Sequence, residues 1–215
     1  LASANPPEAI RRSYARTIAW AWIRSGNVAK ARAALATAPL EAEDAVAGWL
    51  ALFDGDLAQA RRTLREGDVS SSEAVAALAL LSRTTRERSA LAGQGFLQLA
   101  RGDSVAAADA FIRAATELPD ATPLLLAMAA RIHTARRQDA AAVTLWTRLA
   151  GEHTSAPEAA EARLEWARAL RRRGDHAAAR QQYEQLILTF PGSALVPQAR
   201  RELQTLPPAR SRETR

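Results

Sequence analysis

Residues 96–111 read FLQLARGDSVAAADAF, and this stretch decides the fold. One run of apolar residues at helical spacing ends at Gly102, and a second begins after Asp103. Glycine accepts the left-handed backbone that often ends a helix, and an aspartate next to it can cap the helix that follows. The stretch therefore predicts two helices joined by a tight turn.

The same pattern recurs along the chain, which indicates an internal repeat. Turn glycines stand at Gly26, Gly55, Gly102 and Gly174, and either Arg137 or Gln138 takes that place in the remaining copy. Five residues after the turn comes alanine: Ala31, Ala60, Ala107, Ala142 (if Arg137 holds the turn) and Ala179. Four residues further comes a bulky side chain: Leu35, Leu64, Phe111, Trp146 and Tyr183. Small residues allow two helices to approach closely, and the bulky ones fill the space between hairpins.

This pattern resembles the tetratricopeptide repeat (TPR). The resemblance covers about residues 9–205 and includes a glycine or alanine seven residues before each turn: Ala19, Gly48, Gly95, Ala130 and Ala167. It implies an all-α, right-handed α-solenoid of about five helical hairpins in a single repeat domain over residues 1–205. The hairpins are expected at about 9–38, 42–66, 87–118, 122–152 and 157–190.

Two further helices and a tail complete the predicted architecture. An extra helix is expected at about 71–83, capped by Ser71 or Ser72. A C-terminal capping helix is expected at 194–205, with Ser193 as its cap. Residues 206–215 are expected to form a disordered basic tail.

The charge is uneven. The net charge is +6, and residues 121–215 carry the whole excess, whereas residues 1–120 are neutral. A basic half suits an acidic partner, an anionic membrane or nucleic acid. No nucleic-acid motif accompanies the charge, so nucleic acid is not the expected partner. No apolar run is long enough to span a bilayer.

The sequence contains few residues suited to catalysis and no catalytic or metal-binding motif. The chain has no cysteine, and the spacings of His133, His153 and His176 match no helical metal pair. We therefore predict a protein that is not an enzyme and binds no cofactor or metal. Two Arg-Gly-Asp triplets, at 101–103 and 173–175, fall on hairpin turns, and we interpret them as turn chemistry and not as adhesion signals.

The TPR resemblance also implies a binding surface. In such repeats the first helix of each hairpin lines a concave face, and five places on that helix usually point into it. Carried over to this chain, three of them make the face aromatic toward the N-terminus and cationic toward the C-terminus. Aromatic and arginine side chains are enriched at binding hot spots. The candidate partner-binding residues are Trp20, Arg24, Trp49, Phe53, Phe96, Arg131, Arg168, Arg171 and Arg172. The alternative is that the tryptophans fill the core and that the arginines only complement a helix end.

Residues 178–203, AARQQYEQLILTFPGSALVPQARREL, resemble the repeats of bacterial periplasmic and outer-membrane-associated TPR proteins. We therefore expect a scaffold that binds a peptide segment or subunit of a larger, membrane-associated complex, located in the periplasm or cell envelope. Ala2-Ser3-Ala4 looks like a signal-peptidase site, and a cytoplasmic location is the alternative. Two other functions stay open. One is a periplasmic glycan- or peptidoglycan-binding module, and the other is a regulatory fragment of a longer enzyme or transcription factor.

Overall fold

The computed structural model describes residues 7–36, 45–64 and 71–207. Within these ranges the chain is helical and has no strand, and its helices pack against their sequence neighbours. This confirms the predicted all-α fold of helical hairpins. The predicted tail lies mostly outside the described residues, as does the Ala2-Ser3-Ala4 segment.

The chain divides into two compact units at the bond between Thr122 and Pro123. The first unit holds three hairpins and the extra helix. These helices are α1 (Glu8–Arg24), α2 (Val28–Ala36), α3 (Ala45–Phe53), α4 (Leu57–Thr63), α5 (Ser72–Arg83), α6 (Ala90–Ala100) and α7 (Ser104–Glu117). The second unit holds two hairpins and the capping helix: α8 (Thr122–Ala135), α9 (Asp139–Glu152), α10 (Ala159–Arg172), α11 (His176–Thr189) and α12 (Val196–Gln204). That residues 1–205 form a single repeat domain stays a prediction.

All five hairpin turns share one backbone geometry. The turn residue has a positive φ in every case: Gly26 67°, Gly55 74°, Gly102 78°, Arg137 59° and Gly174 82°. At each turn the amide of this residue and the amide of the next residue donate hydrogen bonds to two carbonyls of the first helix. At the third turn, for example, Gly102 donates to the Leu99 carbonyl and Asp103 to the Gln98 carbonyl. This is a Schellman motif, and it places Arg137 rather than Gln138 at the turn.

The polar residue after each glycine caps the second helix, as predicted. An Asp103 carboxylate oxygen accepts from the Ala106 amide at 3.0 Å, and the same bond recurs at Asn27, Asp56 and Asp175. The fourth turn differs because Gln138 does not cap α9. The Oε1 atom of Gln138 instead lies 2.7 Å from Nδ1 of the buried His133.

The repeated alanines form the close helix contacts. Ala31, Ala60, Ala107, Ala142 and Ala179 are completely buried. The bulky residue four positions later packs where the first helix has no room for a side chain. A Cβ atom added at Gly95 would lie 2.3 Å from Phe111, and one at Gly48 would lie 2.8 Å from Leu64. Protein interiors are close-packed, so they cannot accommodate an overlap of this size.

The extra helix α5 is fastened by an arginine of the preceding hairpin. The Arg61 guanidinium donates to the carbonyls of Leu81, Thr84 and Arg86, at or just after the end of α5. These carbonyls lack partners within the helix. At the other end Ser71 caps α5 by accepting from the Ala74 amide at 3.1 Å.

The capping helix begins differently from the prediction. Leu195, not Ser193, is the residue before α12, and α12 starts at Val196. The Ser193 hydroxyl accepts a hydrogen bond from the Leu195 amide at 3.2 Å, which orders the turn ahead of the helix. Pro197, in the first turn of α12, has no N–H group to be capped.

Candidate functional site

In the second unit, the predicted arginines of the first helices are joined to carboxylates. Arg131 on α8 makes a two-pronged bond to Glu161 on α10, with Nε 2.7 Å from Oε1 and Nη2 2.5 Å from Oε2. The Arg131 side chain is 47% exposed, so one side of the pair faces solvent. The hydrogen bond to Glu161 raises the pKa of Arg131, which keeps this cation charged.

Arg168 lies at the centre of a larger cluster. Its guanidinium donates to Glu202 on α12 and to Glu165 one turn earlier on α10. Arg171 adds a longer contact, with Nη1 3.8 Å from Glu202. The hydrogen bond that Arg168 donates to Glu202 is the main cause of the raised pKa of Arg168. Arg168 is thus committed to the fold, whereas Arg171, 39% exposed, retains donors for a ligand.

Arg172 lies at the end of α10 and joins two hairpin turns. Its Nη2 and Nε atoms lie 2.6 and 3.0 Å from Oδ1 of Asp139, the first residue of α9. The side chain is 24% exposed. The pair holds the fourth turn beside the fifth.

The predicted aromatic residues lie deeper than the arginines. Phe96 is 1% exposed and meets Phe111 edge-on, with ring centroids 5.3 Å apart. Trp49 is 8% and Phe53 7% exposed, and their rings lie 5.8 Å apart. Only the half-buried Trp20 and the exposed Arg24 offer accessible side chains from this set. For Trp49 the burial favours the alternative of a core residue.

The sequence analysis missed the carboxylates that face these arginines. Their spacing held the signal, because Arg131–Glu161, Arg172–Asp139 and Arg168–Glu202 are 30, 33 and 34 residues apart, about one repeat. Opposite charges one repeat apart fall on equivalent places of neighbouring hairpins. The face lined by Arg131, Arg168 and Arg171, which we call the arginine face, is therefore largely charge-balanced, and it can take up a ligand carboxylate mainly at its exposed margin.

The comparisons with known proteins bear on the fifth hairpin. Residues 161–193 match the sequence model of the tetratricopeptide repeat family. The match supports a tetratricopeptide repeat protein. No curated protein and no solved structure matches the chain.

The TPR match coincides with the hairpin in which the repeat pattern is most complete. It covers most of α10, the turn at Gly174 and the whole of α11, including the buried Ala179 and Tyr183. Arg168, Arg171 and Arg172 lie within it. TPR domains bind protein partners. The partner-binding role of each predicted residue stays a prediction.

Other site types find little support in the described ranges. No group of His, Asp and Glu side chains there could hold a metal ion. No helix in the same ranges combines the length and the apolar character needed to cross a membrane. Both Arg-Gly-Asp triplets lie at exposed turns, where Asp103 and Asp175 are helix caps.

Proposed function

We propose that this protein is a non-enzymatic scaffold that binds a segment of a partner protein along its first helices. The observation that carries the proposal is the TPR match over the hairpin that supplies Arg168 and Arg171. The accessible cations of the arginine face, Arg131 and Arg171, suit a segment with an acidic end, since arginine forms forked bonds to carboxylates. In the first unit, the half-buried Trp20 and the exposed Arg24 are the accessible candidates for such a segment.

The same proposal places the protein in a bacterial cell envelope, as part of a larger complex. The support is the resemblance of residues 178–203 to the repeats of periplasmic TPR proteins. Subcellular fractionation of the source cells, with an antibody against the chain, tests the location. Recovery with the cytoplasmic fraction would contradict it.

A comparison of matched variants tests the binding role. The chain and an Arg131→Gln, Arg171→Gln variant are used to isolate partners from native extract, and each partner is identified by mass spectrometry. Its binding segment is then synthesised and titrated by calorimetry against both proteins. We expect the variant to bind the segment at least roughly tenfold more weakly, since hydrogen bonds to charged groups contribute about 1.5–3 kcal/mol.

Arg148→Gln is the matched control. Arg148 is also exposed and ion-paired, with Glu152, but it lies on the second helix α9. Equal loss of affinity in this control would assign the effect to net charge. Unchanged affinity in the double variant would remove the arginine face from the binding surface.

A further inference from the structure

The turns of the last two hairpins share a concentration of positive charge. Arg136 and Arg137 follow α8, and Arg172 and Arg173 lie at the end of α10. The 2.6 Å bond between Arg172 and Asp139 holds these two turns side by side. We call the four arginines the cationic turn edge.

The acidic residues nearby do not cancel this charge. Asp139 is engaged by Arg172, and Asp175 caps α11 by accepting from the Ala178 amide at 3.1 Å. The hydrogen bond from Arg172 lowers the pKa of Asp139, and the charges of Arg172, Arg137 and Arg173 lower it further. Residues 136–139 and 172–175 together contain four arginines and two aspartates, so the sequence of the two turns is net positive.

Two turns of the first unit show that a hairpin turn does not require these cations, whereas the third turn has Arg101 before Gly102. Gly55 is flanked by Asp54 and Asp56, and Gly26 by Ser25 and Asn27. These turns have the same left-handed residue and the same pair of backbone bonds. The cations of the last two turns are thus not required by the turn geometry.

Arg137 is also the only residue other than glycine with a positive φ among the described residues. It holds a φ of 59° at the place where the other four turns have glycine. A left-handed conformation costs a residue with a Cβ atom roughly 1–2 kcal/mol, and glycine avoids that cost. The Arg137 side chain is exposed, and among the described residues no hydrogen bond or ion pair compensates the cost. Residues with strain of this kind are found most often at functional sites.

We propose that the cationic turn edge binds an acidic segment of a partner protein, with Arg137 and Arg173 supplying the cations that contact its carboxylates. The class of partner rests on the proposed function, but the surface is a different one from the arginine face. The unit already pairs arginine with carboxylate at Arg131–Glu161. Residues 135–139 and 172–176 contain no Trp, Tyr or Phe on which bases could stack and no large apolar side chain that could enter a lipid surface.

The test uses a fluorescein-labelled octaglutamate peptide, with octaglutamine as its neutral counterpart. Fluorescence anisotropy at low salt measures the affinity for the chain and for two variants, Arg137→Gly and Arg173→Gln. We expect octaglutamate to bind and octaglutamine not to, and each variant to weaken binding roughly tenfold, as for loss of a charged hydrogen bond. Arg137→Gly should melt at a higher temperature than the wild type, so a loss of binding in this variant cannot come from unfolding.

Three outcomes would overturn the proposal. The first is an equal loss in the control Arg148→Gln. The second is tighter binding of oligo-dT or of phosphatidylserine vesicles than of octaglutamate. The third is full binding of octaglutamate by both edge variants together with a loss of binding in the double variant Arg131→Gln, Arg171→Gln. This result would leave the proposed function intact and would assign the acidic segment to the arginine face. A different result would count against the proposed function alone. In that case octaglutamate would bind normally, but the partner segment would bind the Arg131→Gln, Arg171→Gln variant as tightly as the wild type, so the arginine face would not be its binding surface.

Discussion

The hydroxyl group of Tyr183 donates a hydrogen bond of 2.8 Å to the carboxylate of Glu202. Tyr183 is a fully buried bulky residue of the last hairpin, and Glu202 lies on the capping helix α12. The same carboxylate accepts from Arg168, so three elements, α10, α11 and α12, meet at one side chain. Around it, Val196, Ala199 and Leu206 pack into the apolar core of the hairpin.

Glu202→Gln should loosen the capping helix. The amide keeps a hydrogen-bonding shape but loses the charge that faces Arg168, whose side chain is only 23% exposed. Since hydrogen bonds to charged groups contribute about 1.5–3 kcal/mol, we expect a loss of about 2 kcal/mol in the free energy of unfolding. Urea denaturation measures it, with Glu184→Gln on the exposed side of α11 as the control. An equal, small effect in both variants would refute the role of Glu202.

Acid should weaken the same contact. Burial raises the pKa of Glu202, but the hydrogen bonds from Arg168 and Tyr183 outweigh it and hold the pKa below its ordinary value of 4.5. The folded state therefore binds this proton less readily than the unfolded state. Its contribution is complete above pH 4.5 and falls as the pH drops through the lowered pKa. Thermal melts between pH 6 and pH 3 should show a smaller acid effect in Glu202→Gln than in the wild type.

Alkali should destabilise the hairpin through Tyr183. Burial, together with the hydrogen bond to Glu202, raises the pKa of the phenol above its ordinary value of 10.0. Because the folded state keeps the phenol protonated, Tyr183 contributes its full stabilisation below pH 10. This contribution decreases as the pH rises further and the phenol loses its proton. Tyr183→Phe should therefore be less stable than the wild type at pH 8 by about 1 kcal/mol and should show a weaker loss above pH 10. Parallel curves for the two proteins would contradict the assignment.

The turn glycines offer a graded test of backbone strain. A Cβ atom at Gly102 would meet nothing within 4 Å, so Gly102→Ala should cost only the left-handed conformation, about 1 kcal/mol. At Gly55 the added atom would lie 2.6 Å from the Ser89 carbonyl oxygen, and overlap adds to the cost, for a total of about 2–4 kcal/mol. Denaturation midpoints of the two variants check the order. A smaller loss at Gly55 would refute the packing of the second turn against Ser89.

Overpacking at a repeat alanine tests the hairpin contact itself. Ala179 is completely buried, so Ala179→Trp should destabilise the last hairpin by about 3 kcal/mol or more. Ala177 lies two residues earlier on the same helix and is exposed, so Ala177→Trp is the matched control and should leave stability nearly unchanged. Circular dichroism melts measure both. An unchanged melting temperature for Ala179→Trp would mean that the helices do not touch there.

The two tryptophans predicted to line the concave face, Trp20 and Trp49, should differ in the stability that each loses on substitution by alanine. Trp49 is 8% exposed and packs on Phe53, so Trp49→Ala should cost about 3–5 kcal/mol of stability. Trp20 is half-buried, and Trp20→Ala should cost roughly 1 kcal/mol. A larger loss at Trp20 than at Trp49 would reverse their assignment to face and core.

The sequence by itself determined the hairpins and their turns. A left-handed residue, a capping aspartate and a buried alanine five residues after the turn are local requirements, so each leaves a mark at a fixed spacing. Gly102, Asp103 and Ala107 show all three. At the fourth turn the pattern left two candidates, Arg137 and Gln138. Only Arg137 places Ala142 five residues after the turn, as in the other hairpins.

Only the tertiary structure decided which charges remain available and which aromatic rings are accessible. Arg168 on α10 is bound by Glu202, 34 residues away, whereas Arg137 at the fourth turn has no such partner within the described ranges. Phe96 and Trp20 hold equivalent places in the repeat, yet the first is buried and the second half-buried. Neutralisation and burial depend on neighbours from other hairpins, and helical spacing alone does not specify which side chains those neighbours present.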